Sequence, residues 1–447
     1  MSDRARLLSE VSRRLGIRRL VWMGLRGDDI EPLADLPQLH GAFSIIGGYD
    51  RRVSVKSLAY EDLTGVRVDP EIWDIDDHLK DDATIEFRRA LLGALSSDCA
   101  LLPYRPLNFL SAIHFARLAR CRHLGLFGAH QYAFEHKPWV ESAVRDLGLP
   151  QIPWTYVADE DQLQVRELSR HGELVLRRSR TSGGEGFTRV TSIDDVASHW
   201  PYVDESFVSV APYLEGALPL NVGATVWTDG VTVHNPSVQL IGIDSCVTRD
   251  FGYCGNDFGL IRDLDRDVIQ QIEDSTVRIG RWLREHGYLG SFGVDYLLHC
   301  GRLLFTEINP RFQGSTHSSC RLDVEAGRSC LLLEHLAAWL EVPCPRPVPL
   351  AARIAEASAL TNLVVHWTGD SGAHLDGRSL VDHVRRVEST VRADVITSAT
   401  VSTDRGATVA RLAIRRSVTK SGFELDEKLD QAIRGWQFGA RKEPAGR

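Results

Sequence analysis

The stretch GVDYLLHCGRLLFTEINPRFQGS, residues 293–315, holds side chains whose types and spacing suit cation chemistry. Asp295 falls on one strand-like run. Glu307 and Asn309 fall two residues apart on the next, where alternation puts both on one face, about 6.6 Å apart along the strand. Three oxygen donors so placed can converge on a hard cation, and magnesium, which keeps part of its shell for phosphate and water, is the cation they suit. Arg311, two residues beyond Asn309, adds a planar fork for phosphate or carboxylate. The set requires one register. A hairpin centred on Gly301, through a three-residue Cys300-Gly301-Arg302 loop or a five-residue one, puts His299 opposite Leu303, Leu297 opposite Phe305 and Asp295 opposite Glu307. A two-residue Cys300-Gly301 turn would pair Asp295 with Thr306 and send Glu307 to the other face, so the longer loop is expected.

A second constellation could hold phosphate. The chain has neither a GxxxxGK[ST] loop nor a GxGxxG opening a helix, but Ser179 to Gly186 (SRTSGGEG) lies between two strand-like runs. Its small residues, Ser182, Gly183, Gly184 and Gly186, let backbone N–H groups approach an anion; alone, the same loop reads as an ordinary turn. Only six of the 52 basic residues are lysine, and Lys137 is the sole lysine between Lys80 and Lys420. A compact ammonium is therefore singled out at that spot. Arg249, in DSCVTRDFGYCGND, joins Arg311 as a cation for charge developing at a reacting end, and a structural ion pair is the alternative for each.

These residues need elements to position them. In the first 125 residues, apolar runs at Leu20–Met23, Phe43–Ile46, Cys99–Leu102 and His123–Phe127 alternate with helical segments at Ile85–Leu95 and Phe109–Ala119, a pattern that predicts an open α/β sheet. From Pro150 the pattern becomes paired strands: Glu173–Arg178 with Phe187–Val190, then Phe207–Ala211, Asn221–Thr228 and Val231–Ile243. An amphipathic helix over Asp265–His286, the hairpin Ser291–Ile308 and a helix over Val324–Leu340 follow. Four prolines within residues 343–349 read as a stiff linker before a C-terminal piece, so the expected units are 1–125, 126–342 and 350–447. Asn362–Trp367 reads as a strand of the last unit, to which substrate recognition or subunit contact is assigned. Its arginines Arg385, Arg386 and Arg392 are expected to face solvent. Deleting 350–447 should then cost selectivity or solubility before nucleotide binding.

Composition excludes several classes. A 447-residue chain that is 43% hydrophobic and 25% charged belongs with globular proteins of several domains, and no window reaches the roughly 18 apolar residues of a membrane span. The first residues lack a secretory leader's apolar core, so a cytoplasmic protein is expected. A net charge of −8 argues against nucleic acid as a partner. Eight cysteines without a CxxC pair read as buried reduced thiols, and the acidic run from Asp69 to Glu86 as solvated surface.

In the order of its elements, residues 1 to about 340 resemble the ATP-grasp superfamily: a leading α/β domain, a lysine before a Gly-Leu-Pro-x-x-Pro segment, a strand with a glycine-rich loop, a hinge strand and a final EINPR hairpin. With its added C-terminal region the chain is similar to peptide ligases of pheganomycin-type biosynthesis. The resemblance implies an α/β and α+β ATP-grasp fold behind an open α/β pre-ATP-grasp domain, with ATP and magnesium as cofactors. Lys137 and Arg177 would contact the nucleotide phosphates, and the loop Ser182 to Gly186 would close over them. Pro212 and Leu214, in the hinge, would meet adenine through carbonyl and N–H, and Asp295, Glu307 and Asn309 would hold magnesium. Arg177 stands where the family has a second lysine and Ala211 where it has a hinge glutamate. Removing either the Lys137 or the Arg177 charge should weaken ATP binding with little effect on folding. The implied reaction joins a small-molecule carboxylate to an amino acid or peptide amine through an acyl phosphate, with a homodimer as one allowed assembly. Biotin-carboxylase-like carboxylation and a nucleotide-binding regulatory module without turnover remain open beside it.

Overall fold

The computed structural model describes residues 2–47, 55–95, 98–111, 121–126, 133–158, 162–170, 172–180, 186–198, 200, 207–397 and 400–442. The predicted alternation near the N-terminus becomes five parallel strands, in the order Lys56–Ala59, Leu39–Ile46, Arg19–Arg26, Cys99–Pro103 and Cys121–His123. Leu20 and Trp22 face the helix Asp3–Leu15, while Val21 and Met23 face Asp82–Ala94. Both faces of the sheet are thus buried, which is why its strands are continuous apolar runs. The last run lies earlier than expected, at Cys121–His123, and the helix placed at Phe109–Ala119 falls largely outside the described residues.

Beyond this sheet, Thr155–Ala158, Phe207–Pro212, Leu174–Arg177 and Phe187–Val190 form a small antiparallel sheet in that order. The large central sheet runs Arg302–Asn309, Gly290–His299, Leu218–Val226, Ser237–Ile241, Tyr253–Asp257, Thr361–His366, Thr408–Ile414 and Arg392–Ile396, with Val231–Val233 paired to Leu218–Val226. The helix Arg266–Glu285 covers one end of it with the expected stripe of Val268, Ile269, Ile272, Ile279, Trp282 and Leu283. The helix predicted over Val324–Leu340 is instead two, Thr316–Glu325 and Leu331–Trp339. Gly327, at φ 70°, turns the chain between them as only glycine does readily.

The prolines of 343–349 do not set a separate body apart. Asn362 and its neighbours form the predicted strand, but Thr361–His366 pairs directly with Tyr253–Asp257 and carries the central sheet on into the C-terminal region. An open edge at Tyr253–Asp257 would leave backbone donors and acceptors unpaired, and the later strands satisfy them. Arg411, on Thr408–Ile414, is 1% exposed and reaches Asp28 and Asp29 of the N-terminal layer at 2.5 and 2.6 Å. Arg385, Arg386 and Arg392 are exposed as expected, Arg392 with Glu31 at 3.5 Å. A deletion from residue 350 would therefore remove part of the common sheet rather than a detachable recognition unit. No helix among the described residues is long and apolar enough to cross a membrane. Six of the eight free cysteines are buried as expected, Cys344 is partly so, and Cys300 is exposed.

A buried charge network ties the last units together. His234 stands 2.8 Å from Asp323 and 3.1 Å from Glu334, while Arg353, beyond the prolines, also bonds Asp323. All four side chains are at most 3% exposed. Burial alone would lower the His234 pKa, but the Glu334 and Asp323 carboxylates outweigh it and raise it to about 9. Burial would raise Glu334, yet His234 holds it down to about 2. His234 thus contributes stability fully below about 6.5, its ordinary value, and loses it as pH climbs through 9. Glu334 contributes above about 4.5 and loses it as pH falls through 2. Thermal denaturation should accordingly show stability falling between pH 6.5 and 9, with on the order of 3 kcal/mol from His234. His234→Gln should flatten that slope, and an unchanged slope would remove His234 as its source.

Candidate active site

A cavity of about 550 Å3 lies where the three sheets meet, lined from all of them. Its floor is the hairpin Gly290–His299/Arg302–Asn309, and the hairpin reaches the required pairing by a route other than the expected one. The turn is the two-residue Cys300-Gly301 with His299 opposite Arg302; both central residues have positive φ, 48° and 73°, as a tight type I′ turn demands. The pairs then run Leu298–Leu303, Leu297–Leu304 and Tyr296–Phe305, which would bring Thr306 opposite Asp295. A β-bulge at Thr306 absorbs one residue, so Asp295 faces Glu307 after all and Gly293 faces Asn309. The expected pairs His299–Leu303 and Leu297–Phe305 are absent. The bulge has a packing cause: Phe305 and Ile308 both belong in the core, an odd number of residues apart, and only an extra residue lets both point inward.

Acceptors crowd this face and donors surround them. Asn309 Nδ2 lies 3.1 Å from Asp295 and 3.3 Å from Glu307, and Gln313 reaches Asp295 at 3.4 Å. Asn221 donates to Asp295 and in turn accepts from the Ser315 hydroxyl at 2.7 Å. Gln313 fits only because residue 293 is glycine, where a Cβ would sit 1.7 Å from the Gln313 amide oxygen. Burial, with Glu307 adding, pushes the Asp295 carboxyl up to about 7. Burial would raise Glu307 too, but the Lys137 ammonium at 3.2 Å holds it below the usual carboxylate range. A buried and a partly buried carboxylate, an amide and open space beside them form a donor set that fits a hard cation completing its shell with phosphate oxygens. Among the described residues no cluster of three His, Cys, Asp or Glu side chains offers an all-protein cage.

Lys137 is 6% exposed, not a surface residue, and begins the helix Lys137–Asp146. One turn on, Glu141 pairs with Arg177, whose guanidinium stacks 3.8 Å over the Trp154 ring at 1% exposure. The same helix face therefore fixes two cations at the cavity wall. Pro212 and Leu214 line the cavity, and Tyr213 is anchored by its N–H to the Glu173 carbonyl at 2.9 Å. Of the glycine-rich loop, Gly186 sits at φ 68° and accepts from the Arg178 N–H at 3.1 Å, whereas Ser182, Gly183 and Gly184 lie outside the described residues. Arg311 lines the cavity, with one hydrogen bond to the Phe312 carbonyl at 3.3 Å. Arg249 does not line it. It is held at 2.5 Å by Asp69, the structural role left open for it.

The acidic run is solvated only in part: Asp77, Asp81, Asp82 and Glu86 are exposed as expected, but its other acids are engaged within the protein or at the cavity. Asp74 pairs with Arg105 at 2.6 Å, Asp76 accepts from the N–H groups of Asn108 and Phe109, and Glu71, Asp74 and Asp77 line the cavity. Sequence reasoning missed Asn221, Glu141, Trp154, Gln313, Arg26 and Glu71. Gln313 had a signal, continuing the two-residue spacing of Glu307, Asn309 and Arg311; Glu141, four residues from Lys137, had another.

Residues 141–315 match the family model described as the ATP-grasp domain. Acetyl-CoA carboxylase of Dictyostelium discoideum is 28% identical over 139 residues, 31% of this chain, and the match spans only 6% of that protein's length. Among solved structures, the biotin carboxylase domain of Hydrogenobacter thermophilus 2-oxoglutarate carboxylase, in complex with MgADP, ADP and bicarbonate, aligns with a TM-score of 0.59. Its identity is 12%, over 90% of this chain and 86% of that one. The N5-carboxyaminoimidazole synthase of Aspergillus clavatus, with ADP and 5-aminoimidazole ribonucleotide, aligns at 0.57 and 12% identity over 95% and 99%. The ATP-grasp fold expected from the sequence is thereby established.

Lys137 and Arg177 should separate on mutation. Lys137→Met leaves Glu307 free to take a proton and should weaken ATP binding at least tenfold with a small change in melting temperature. Arg177→Ala strands Glu141 at 2% exposure and should cost about 3–5 kcal/mol, contrary to the expectation of unaffected folding. The pair Arg177→Leu with Glu141→Leu should recover most of that stability but not ATP affinity. Denaturation and ATP titration check this; equal ATP affinity in all variants would refute the phosphate roles.

Proposed function

The chain carries an ATP-grasp domain, and on that premise we propose that it activates a substrate carboxylate with ATP and joins the acyl group to an amine, releasing ADP and phosphate. The observation that carries this reading is the facing pair of Asp295 and Glu307 in one cavity with Lys137, Arg177 and the fork of Arg311. Asp295, Glu307 and Asn309 are the residues that would hold magnesium, which when bound would neutralise phosphate charge in phosphoryl transfer. Lys137 and Arg177 bring positive charge to the phosphates from two elements. The Pro212 carbonyl accepts from the adenine amino group and the Leu214 N–H donates to the ring.

In the first step a carboxylate oxygen of the substrate attacks the γ-phosphorus and the bond to ADP breaks, giving an acyl phosphate. Arg311 orients the carboxylate and stabilises the negative charge that builds on the acyl oxygen. In the second, an amine nitrogen attacks the acyl carbon, phosphate leaves, and the amine gives up a proton. Enclosure of the site limits hydrolysis of the acyl phosphate. An amino acid or peptide amine is the acceptor in this reading.

Carboxylation is the second reading, favoured by the carboxylases among the similar proteins. There bicarbonate takes the place of the organic acid. ADP release measured across pairs of carboxylic acids and amines, with mass spectrometry of the products, separates the two. Amide product is expected, and Arg311→Ala should lower kcat by at least a hundredfold. ADP release driven by bicarbonate and indifferent to amines would replace the ligase reading with carboxylation.

A further inference from the structure

Arg26 ends the strand Arg19–Arg26 and lines the cavity, yet it is only 3% exposed. Its guanidinium makes no hydrogen bond or ion pair with a described residue, and its Nε is buried without a partner. A buried, unpaired guanidinium is costly, and the chain could have avoided it at no loss to the core. The position explains the expense: in an open parallel sheet, ligands sit beyond the carboxyl ends of the strands, and Arg26 closes the central one. Its five fixed donors match a carboxylate fork.

Glu71 lines the same end of the cavity, and its carboxylate likewise has no hydrogen bond or ion pair with a described residue. Burial raises its pKa, Asp69 adds to the rise, and Arg249, Arg26 and Arg311 work against it, which places Glu71 within the electrostatic reach of Arg26 and Arg311 alike. One unpaired cation and one unpaired anion, near each other but not joined, complement a ligand carrying both charges. A phosphate ester would gain from Arg26 but be repelled by Glu71. Leu25, Ile45, Ile72 and Trp73 make the adjoining wall apolar.

We propose that Arg26 and Glu71 form the acceptor site for a free α-amino acid with an apolar side chain, Arg26 holding its carboxylate and Glu71 its ammonium group. This rests on the amide-forming reading and names its amine. Glu71, raised above the ordinary carboxylate range, takes the proton that the ammonium must lose before its nitrogen can attack the acyl phosphate beside Arg311.

Equilibrium binding tests this without turnover. The full chain, saturated with magnesium and β,γ-methylene-ATP, is titrated calorimetrically with L-leucine, L-valine and L-phenylalanine, with their carboxamides, and with inorganic phosphate. At least one amino acid should bind, its carboxamide at least tenfold more weakly. Arg26→Gln should lose the amino acid at least tenfold with nucleotide affinity and melting temperature held or raised, and Glu71→Gln should weaken the amino acid without restoring the carboxamide. Failure of all three amino acids to bind, equal binding of acid and amide, or binding of phosphate in their place would overturn the proposal. If amino acids bind as expected but no amide forms in the ADP-release screen, the site stands and the ligase reading falls; amide formation from amines lacking a carboxylate, with no amino acid bound, does the reverse.

Discussion

Two carboxylates held side by side away from bulk water repel one another more than they would in it, and the pair of buried Asp295 and partly buried Glu307 imposes that constraint on everything around it. The answer is assembled from separate parts of the chain. Lys137 brings a charge from the start of a helix, Asn221 a donor from the next strand, and Asn309 and Gln313 donors from just beyond Glu307. Gly293 makes room, and the bulge at Thr306 brings the second acid to the correct face. Apart from the bulge, which also turns both Phe305 and Ile308 inward, these features add nothing to a hydrophobic core. Their convergence is accounted for by the cation site proposed above, where local rules of good packing are broken for a purpose.

The same tension appears at the cavity's other end in a different form. Arg177 is held in place by its pairing with Glu141, whereas among the described residues Arg26, Arg311 and Glu71 have no ion-pair partner. The contrast separates charges fixed by a partner within the protein from charges without one. Arg249 belongs with the first group through Asp69, although its sequence setting of glycines and polar residues resembles that of the second.

Much of this was legible from the sequence, for identifiable reasons. Strong periodicity marked the helix Arg266–Glu285, and the spacing of Asp295, Glu307 and Asn309 marked the hairpin face correctly even though the loop was misjudged. The misjudgement came from assuming unbroken alternation. The apolar positions Leu303, Phe305 and Ile308 shift phase by one residue, and that shift was the written trace of the bulge. The separate C-terminal unit failed because prolines report local stiffness and say nothing of long-range strand pairing, here between Asn256 and Asn362. The partners of Arg249 and Arg411 lie on elements far away in the chain, and no local pattern encodes them.

Arg411 carries one more consequence. Asp28 and Asp29 are translated well ahead of the guanidinium that neutralises them, which follows 382 residues after Asp29. Burial alone would raise Asp29, and Arg411 is the main influence that keeps it ionised. The first layer can therefore form its parallel strands early, but its acidic corner stays hydrated until the closing part of the chain has been translated and the central sheet extended. A nascent chain halted before Arg411 would hold a largely formed N-terminal sheet with one loose corner, the kind of surface that chaperones recognise.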